Sequence, residues 1–217
     1  MNLILKILLF GPPVLFSIIL HEVMHGYVAY LLGDDTAKRQ GRLTLNPIKH
    51  VDPVGTIILP LILILSGSHA LFGWAKPVPV NIHRTRNPKQ AMGIIALAGP
   101  MTNRALAVAA LILIRVLGLR NDLGGYVMLN RPAGFLTMLL LGLLIINIIL
   151  AVFNLIPIPP LDGGRVLTWL LPDEQARAFA RIEPYGMFII FALVLFNPFG
   201  ILNTLLTGAL NLFMSFI

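Results

Sequence analysis

Cysteine is absent from the 217 residues, and charged residues are scarce at 12%. Without a thiol there is no disulfide and no thiolate metal site, so any metal must be held by His, Asp, Glu or water. A soluble domain carries about 25% charged residues. The deficit here accompanies 57% hydrophobic residues gathered into long runs, which excludes an ordinary water-facing surface. Acidic groups are also few, and the formal charge is +7. The basic residues lie mainly in the gaps between apolar runs and not along one face. That layout sets orientation in a bilayer and argues against a nucleic-acid partner. The length suits one membrane-embedded domain, residues 1–217. The first twenty residues hold a lysine and an apolar stretch but no small-residue cleavage site. Their apolar run continues past His21 to Leu32, as expected of a retained helix and not of a removed leader.

Crossing the hydrocarbon takes about 20 apolar residues in a helix, because an unbonded backbone is not tolerated there. Residues 8–32, 92–117 and 134–156 meet that requirement. So does 185–217, interrupted by Asn197-Pro198-Phe199-Gly200, which either kinks one helix or separates two. Residues 54–65 are apolar but short, with Gly55 and Pro60 inside, and are expected to re-enter and not to span. Charge makes the same choice. Lys38, Arg39, Arg42 and Lys49 then share a side with Lys76, Arg84, Arg86, Lys89, Arg165, Arg177 and Arg181. Only Lys6, Arg120 and Arg131 lie opposite, so the first helix runs from outside to inside. The expected fold is an all-α polytopic membrane protein of four or five transmembrane helices, with a re-entrant segment and a short extended element.

Within the first helix stands His21-Glu22-Val23-Met24-His25. Residues i and i+4 share a helix face, so both imidazoles reach one metal ion. Glu22 is placed to take a proton from an attacking water. Ionisable side chains cost about 2.5–3.5 kcal/mol each at mid-membrane, which makes a purely structural cluster a poor account of this turn. A catalytic zinc needs a third protein ligand and an open position. Asp162 in Leu161-Asp162-Gly163-Gly164 is the chosen candidate, since it follows the third helix on the side where the first one ends. Asp52, before Pro53, is the rival and has the look of a cap. His50, His69 and His83 lie outside the spans and lack ligand spacing. Gly99 reads as a close-packing glycine and Arg104 as an unexpected charge inside a helix.

These motifs together resemble the site-2 protease family of intramembrane metalloproteases, in its short form without PDZ or CBS domains. The resemblance rests on His21 to His25, on Asn154…Pro157…Leu161-Asp162-Gly163, on Ala98-Gly99-Pro100-Met101-Thr102-Asn103, and on Gly73-Trp74-Ala75-Lys76-Pro77-Val78-Pro79-Val80-Asn81. It implies one zinc ion held by His21, His25 and Asp162, with Glu22 as general base and Asn154 helping to hold substrate or oxyanion. The expected partners are a transmembrane protein substrate and the lipid bilayer. The expected location is a prokaryotic plasma membrane, with the site nearer the cytoplasmic face. A substrate helix must unwind before its carbonyls can be attacked, and residues 74–81, with Val78 and Val80, are expected to offer it an extended edge. The competing readings are a membrane metal-ion transporter or metal-binding protein, and a catalytically silent homologue that binds clients.

Overall fold

The computed structural model describes residues 3–66, 73–119 and 132–216; His69, Arg120 and Arg131 lie outside them. Among the described residues the architecture is helical, with no strand. Helix α1 (Leu3–Leu31) starts five residues before the expected apolar run and is followed by Gly33, whose φ of 107° only glycine adopts readily. A turn over Thr36–Arg39 forms α2. The apolar stretch after it opens as a widened helical turn, Pro53–Ile58, and continues as α3 (Leu59–Leu65). Asp52 caps that turn, accepting from the N–H of Val54 at 3.0 Å and of Gly55 at 2.7 Å. Thirteen helical residues reach about 20 Å, too short for a hydrocarbon core of about 30 Å.

Helix α4 (Pro88–Val116) begins four residues before the expected start. Asn87 accepts from the Gln90 N–H and Pro88 occupies the first turn, a strong local start signal. Helix α5 (Pro132–Asn154) stops two residues before the expected end. Pro157 disfavours a helical Ile156, and the last turn tightens through Ile156 N–H to Phe153 O at 3.1 Å. Three short helices follow: α6 (Asp162–Leu170), α7 (Asp173–Ala180) and α8 (Glu183–Phe196). The last two meet at 65°. The region 185–217 is two helices, not one kinked span: Asn197 sits in the left-handed region at φ 38° and Gly200 at 68° before α9 (Ile201–Met214). Asn197 Oδ1 then accepts the Leu202 N–H at 3.0 Å, so the break is a built turn.

Helices α1, α4 and α5 are long and apolar enough to cross a membrane, and the bent α7–α8 pair makes a fourth candidate among the described residues. Helix α4 lies at the centre, packed against α1, α5 and α6. Its Ala107, Ala110 and Ile114 meet Leu140, Leu144 and Ile148 of α5, with Leu210 and Phe213 of α9 against them. Small residues on α4 let the backbones approach closely, as is usual between membrane helices. Leu15, Phe16, Val108, Ile112, Phe188 and Phe196 point outward, an apolar exterior that only lipid suits.

Candidate metal centre

The first helix presents His21 and His25 one turn apart, both buried, with their rings edge to face. Each Nδ1 is committed. His21 Nδ1 lies 2.6 Å from Asn103 Oδ1 on α4, and His25 Nδ1 lies 2.7 Å from the carbonyl oxygen of Ile95. A carbonyl oxygen only accepts, so each Nδ1 carries the proton and each Nε2 keeps a bare lone pair. The two Nε2 atoms are 3.0 Å apart.

Asp162, the first residue of α6, brings its Oδ2 to 3.2 Å from His21 Nε2 and 3.3 Å from His25 Nε2. That oxygen is buried and has no hydrogen-bond partner. Two imidazole lone pairs and a carboxylate oxygen therefore converge in a buried site with no hydrogen to share. A divalent cation satisfies all three at once. The spacing suits zinc: with bonds of about 2.0–2.1 Å, neighbouring corners of a tetrahedron lie about 3.3 Å apart. Gly99 of α4 keeps the space beside them clear. A methyl there would stand 2.4 Å from His21 Cε1 and 2.5 Å from His25 Nε2. The glycine expected to serve helix packing thus also borders the candidate site.

Glu22 belongs to the same cluster; its carboxylate and the two imidazoles offer ligand atoms within 4.8 Å of one another. Its Oε2 accepts the Val78 N–H at 3.0 Å. Val78 belongs to residues 74–81, the segment expected to be an extended edge. No strand forms there among the described residues, because its donors turn inward. Trp74 N–H goes to Gly55 O, Lys76 N–H to His50 O, and Asn81 N–H to Asp34 Oδ2. Positions 77 and 79 are prolines, with no N–H to offer on the other edge. Val78 is buried beside Gly26, and Val80 packs against Ala29, Ala91 and Ile95.

Asn154 ends α5 with its Nδ2 donating to Leu150 O of its own helix at 3.0 Å. The rival ligand Asp52 is the cap described above. His50 is buried and donates from Nε2 to Thr44 O at 2.8 Å, and His83 is exposed. Arg104 is exposed on α4, which runs on without interruption. Asp34, at the cytoplasmic end expected for α1, has its carboxyl below the usual range. Burial raises it, but donors from the Thr36 side chain and the Asn81 and Thr36 N–H groups outweigh that, with Arg84 adding to the effect.

Sequence reasoning missed the polar chain behind His21. Asn103 Nδ2 donates to Asn147 Oδ1 at 2.8 Å, and Asn147 Nδ2 donates to Ser17 Oγ at 2.7 Å and to Leu143 O. Ser17 Oγ in turn donates to Pro13 O at 2.6 Å. All three side chains are wholly buried, and their directions agree: each amide nitrogen points away from His21, leaving Asn103 Oδ1 to face it. A signal existed, since Asn147 is an amide in an otherwise aliphatic helix, two turns before Asn154 on the same face.

The family model for peptidase family M50 matches residues 10–197. Similar proteins include two named "Putative zinc metalloprotease": YwhC of Bacillus subtilis and Rip2 of Mycolicibacterium smegmatis. YwhC is 41% identical over 85% of this chain and 78% of its own length. Rip2 is 33% identical over 83% of this chain and 64% of its own length. No solved structure gives a significant match.

Proposed function

The chain belongs to peptidase family M50, the site-2 proteases, and from that premise we propose that it hydrolyses peptide bonds in or near transmembrane segments of membrane-protein substrates. It is an integral membrane metalloprotease of bacterial type whose cofactor is zinc. One observation carries the finer reading: His21 Nε2, His25 Nε2 and Asp162 Oδ2 meet within 3.3 Å, with Glu22 beside them, on apolar helices. The proposal takes residues 1–217 as one membrane-embedded domain, with the site towards the cytoplasm. The basic residues 38–89 and 165–181 support that side.

His21, His25 and Asp162 would hold the ion, which supplies the Lewis acidity that activates water and the scissile carbonyl. Glu22 accepts the proton of the attacking water and delivers it to the leaving amine. Val78 N–H fixes the carboxylate, and Asn103 and Ile95 O fix the two rings. Substrate contact along residues 74–81, through the side chains of Val78 and Val80, requires those side chains to leave their packing beside Gly26 and Ala29 while the Val78 N–H stays on Glu22. Support of a substrate carbonyl by Asn154 likewise requires its amide to leave Leu150 O. Both belong to an open, substrate-bound state.

Reconstitution with a single-pass reporter tests the proposal. Glu22→Gln should keep full zinc content while turnover falls by about 10²–10⁴. Asp162→Asn should lose zinc and activity together. Zinc flux into liposomes, with reporter cleavage unaffected by Glu22→Gln, would reject peptidase action.

A further inference from the structure

The segment crossing the site is gripped by a buried guanidinium. Arg42 follows α2 and is only 8% exposed. Its Nη2 donates to Lys76 O at 2.9 Å and Pro77 O at 3.3 Å, while Nε has no partner. No ion pair joins it to a carboxylate among the described residues. A buried charge held only by neutral carbonyls is costly, and loop packing alone gives little reason for it.

What it grips suggests the reason. Pro77 C=O and Val78 N–H are the two ends of one planar peptide unit. A hand on the oxygen sets the direction of the hydrogen, and that hydrogen points at Glu22 Oε2. Pro77 and Pro79 restrict φ on either side of Val78, so the plane has little freedom once its oxygen is held. Coarser placement comes from elsewhere. Trp74 is tied down where its ring covers Gly55, and Asn81 is tied to Asp34.

We propose that Arg42 is a positioning residue for proteolysis: by holding the Pro77–Val78 peptide plane it aims the Val78 N–H at Glu22 and keeps the carboxylate oriented for proton transfer. The proposal rests on Glu22 acting as general base.

The test uses the full chain, zinc-loaded in proteoliposomes, cleaving a single-pass reporter. The proteins compared are wild type, Arg42→Lys, Arg42→Gln, Glu22→Gln, and a chain carrying α-hydroxyisovalerate at position 78. That last change converts the Pro77–Val78 amide to an ester and deletes the N–H while keeping the side chain. Arg42→Gln should lower kcat about tenfold with KM within about twofold, and zinc content should stay at one ion. Arg42→Lys should recover part of the loss. The ester alone should lower kcat, and adding Arg42→Gln to it should lower kcat no further, because both act through one hydrogen bond. If Arg42→Gln does not fold, Arg42→Lys combined with the ester gives the same cycle. Additive losses, or a loss carried by KM or zinc content, overturn the proposal. An active Glu22→Gln would overturn the general-base reading itself. An inactive Glu22→Gln beside fully active Arg42 variants would overturn only the assignment of Arg42.

Discussion

At Gly99 the backbone of α4 passes the two imidazoles so closely that a single methyl would stand between them. Alanine is otherwise the better helix former, by about 1 kcal/mol. Gly99→Ala should therefore leave helical content and detergent melting nearly unchanged while zinc affinity falls at least about a hundredfold. Chelator competition and circular dichroism on the same sample check this; a variant with full zinc would mean the site lies elsewhere. The buried amides make a graded prediction. Asn103→Leu deprives His21 Nδ1–H of its acceptor and frees the ring to change tautomer, which should weaken zinc binding about 10–100-fold. Asn147 touches no imidazole in the observed contacts and acts only by holding Asn103. Asn147→Leu should accordingly weaken zinc less than Asn103→Leu does, and equal effects would contradict the chain of donors from His21 to Ser17.

Among the elements, the segment at residues 73–81 is the least regular and the most dependent on side-chain anchors. Asp34 is one of them, wholly buried and accepting the Asn81 N–H. Its folded carboxyl titrates below the ordinary value of 3.8. The stability it contributes is therefore fully present above that value and is lost as pH falls through it towards the lower, folded pKa. Hydrogen exchange at Asn81, corrected for its intrinsic rate, should hold steady from neutral pH to about pH 5 and quicken below about pH 4. Asp34→Asn should remove that acid dependence. Such anchoring explains which elements were legible beforehand. Helices α1, α4 and α5 could be read because about 20 predominantly apolar residues admit one backbone solution in lipid. Their ends were set by local chemistry that apolar length does not register: Asn87-Pro88 began α4 early, and Pro157 ended α5 early. Residues 74–81 suit an extended edge by their prolines and valines, yet four of their donors are taken by Gly55, His50, Glu22 and Asp34, partners scattered between positions 22 and 55. No local pattern announces that. The break at Asn197 was visible, but only the left-handed backbone there decides between a kink and two helices.

For the molecule as a whole, the candidate site was legible where chemistry is local and obscure where it is shared between helices. The spacing of His21 and His25 is written in one helix turn, and Asp162 could be matched to them because α5 ends on the same side as α1. The chain from Ser17 through Asn147 to Asn103 joins three helices, and nothing in any one of them gives its direction. What remains is the side of the membrane on which this assembly opens, and the charge distribution makes a definite prediction. With α1 running outside to inside, α4 returns, α5 descends again and the bent α7–α8 pair returns once more. Positions 38 and 177, both exposed and on α2 and α7, are then expected on the cytoplasmic side, while the charge pattern of the sequence predicts position 131, outside the described residues, on the other. Because the native chain has no cysteine, Lys38→Cys, Arg177→Cys and Arg131→Cys can each be read without background. An impermeant thiol reagent should label only Arg131→Cys in intact cells and all three after lysis. Labelling of Lys38→Cys or Arg177→Cys from outside would place Asp162 and the proposed general base Glu22 towards the opposite compartment, since the later half of α1 and the start of α6 carry the candidate site between them.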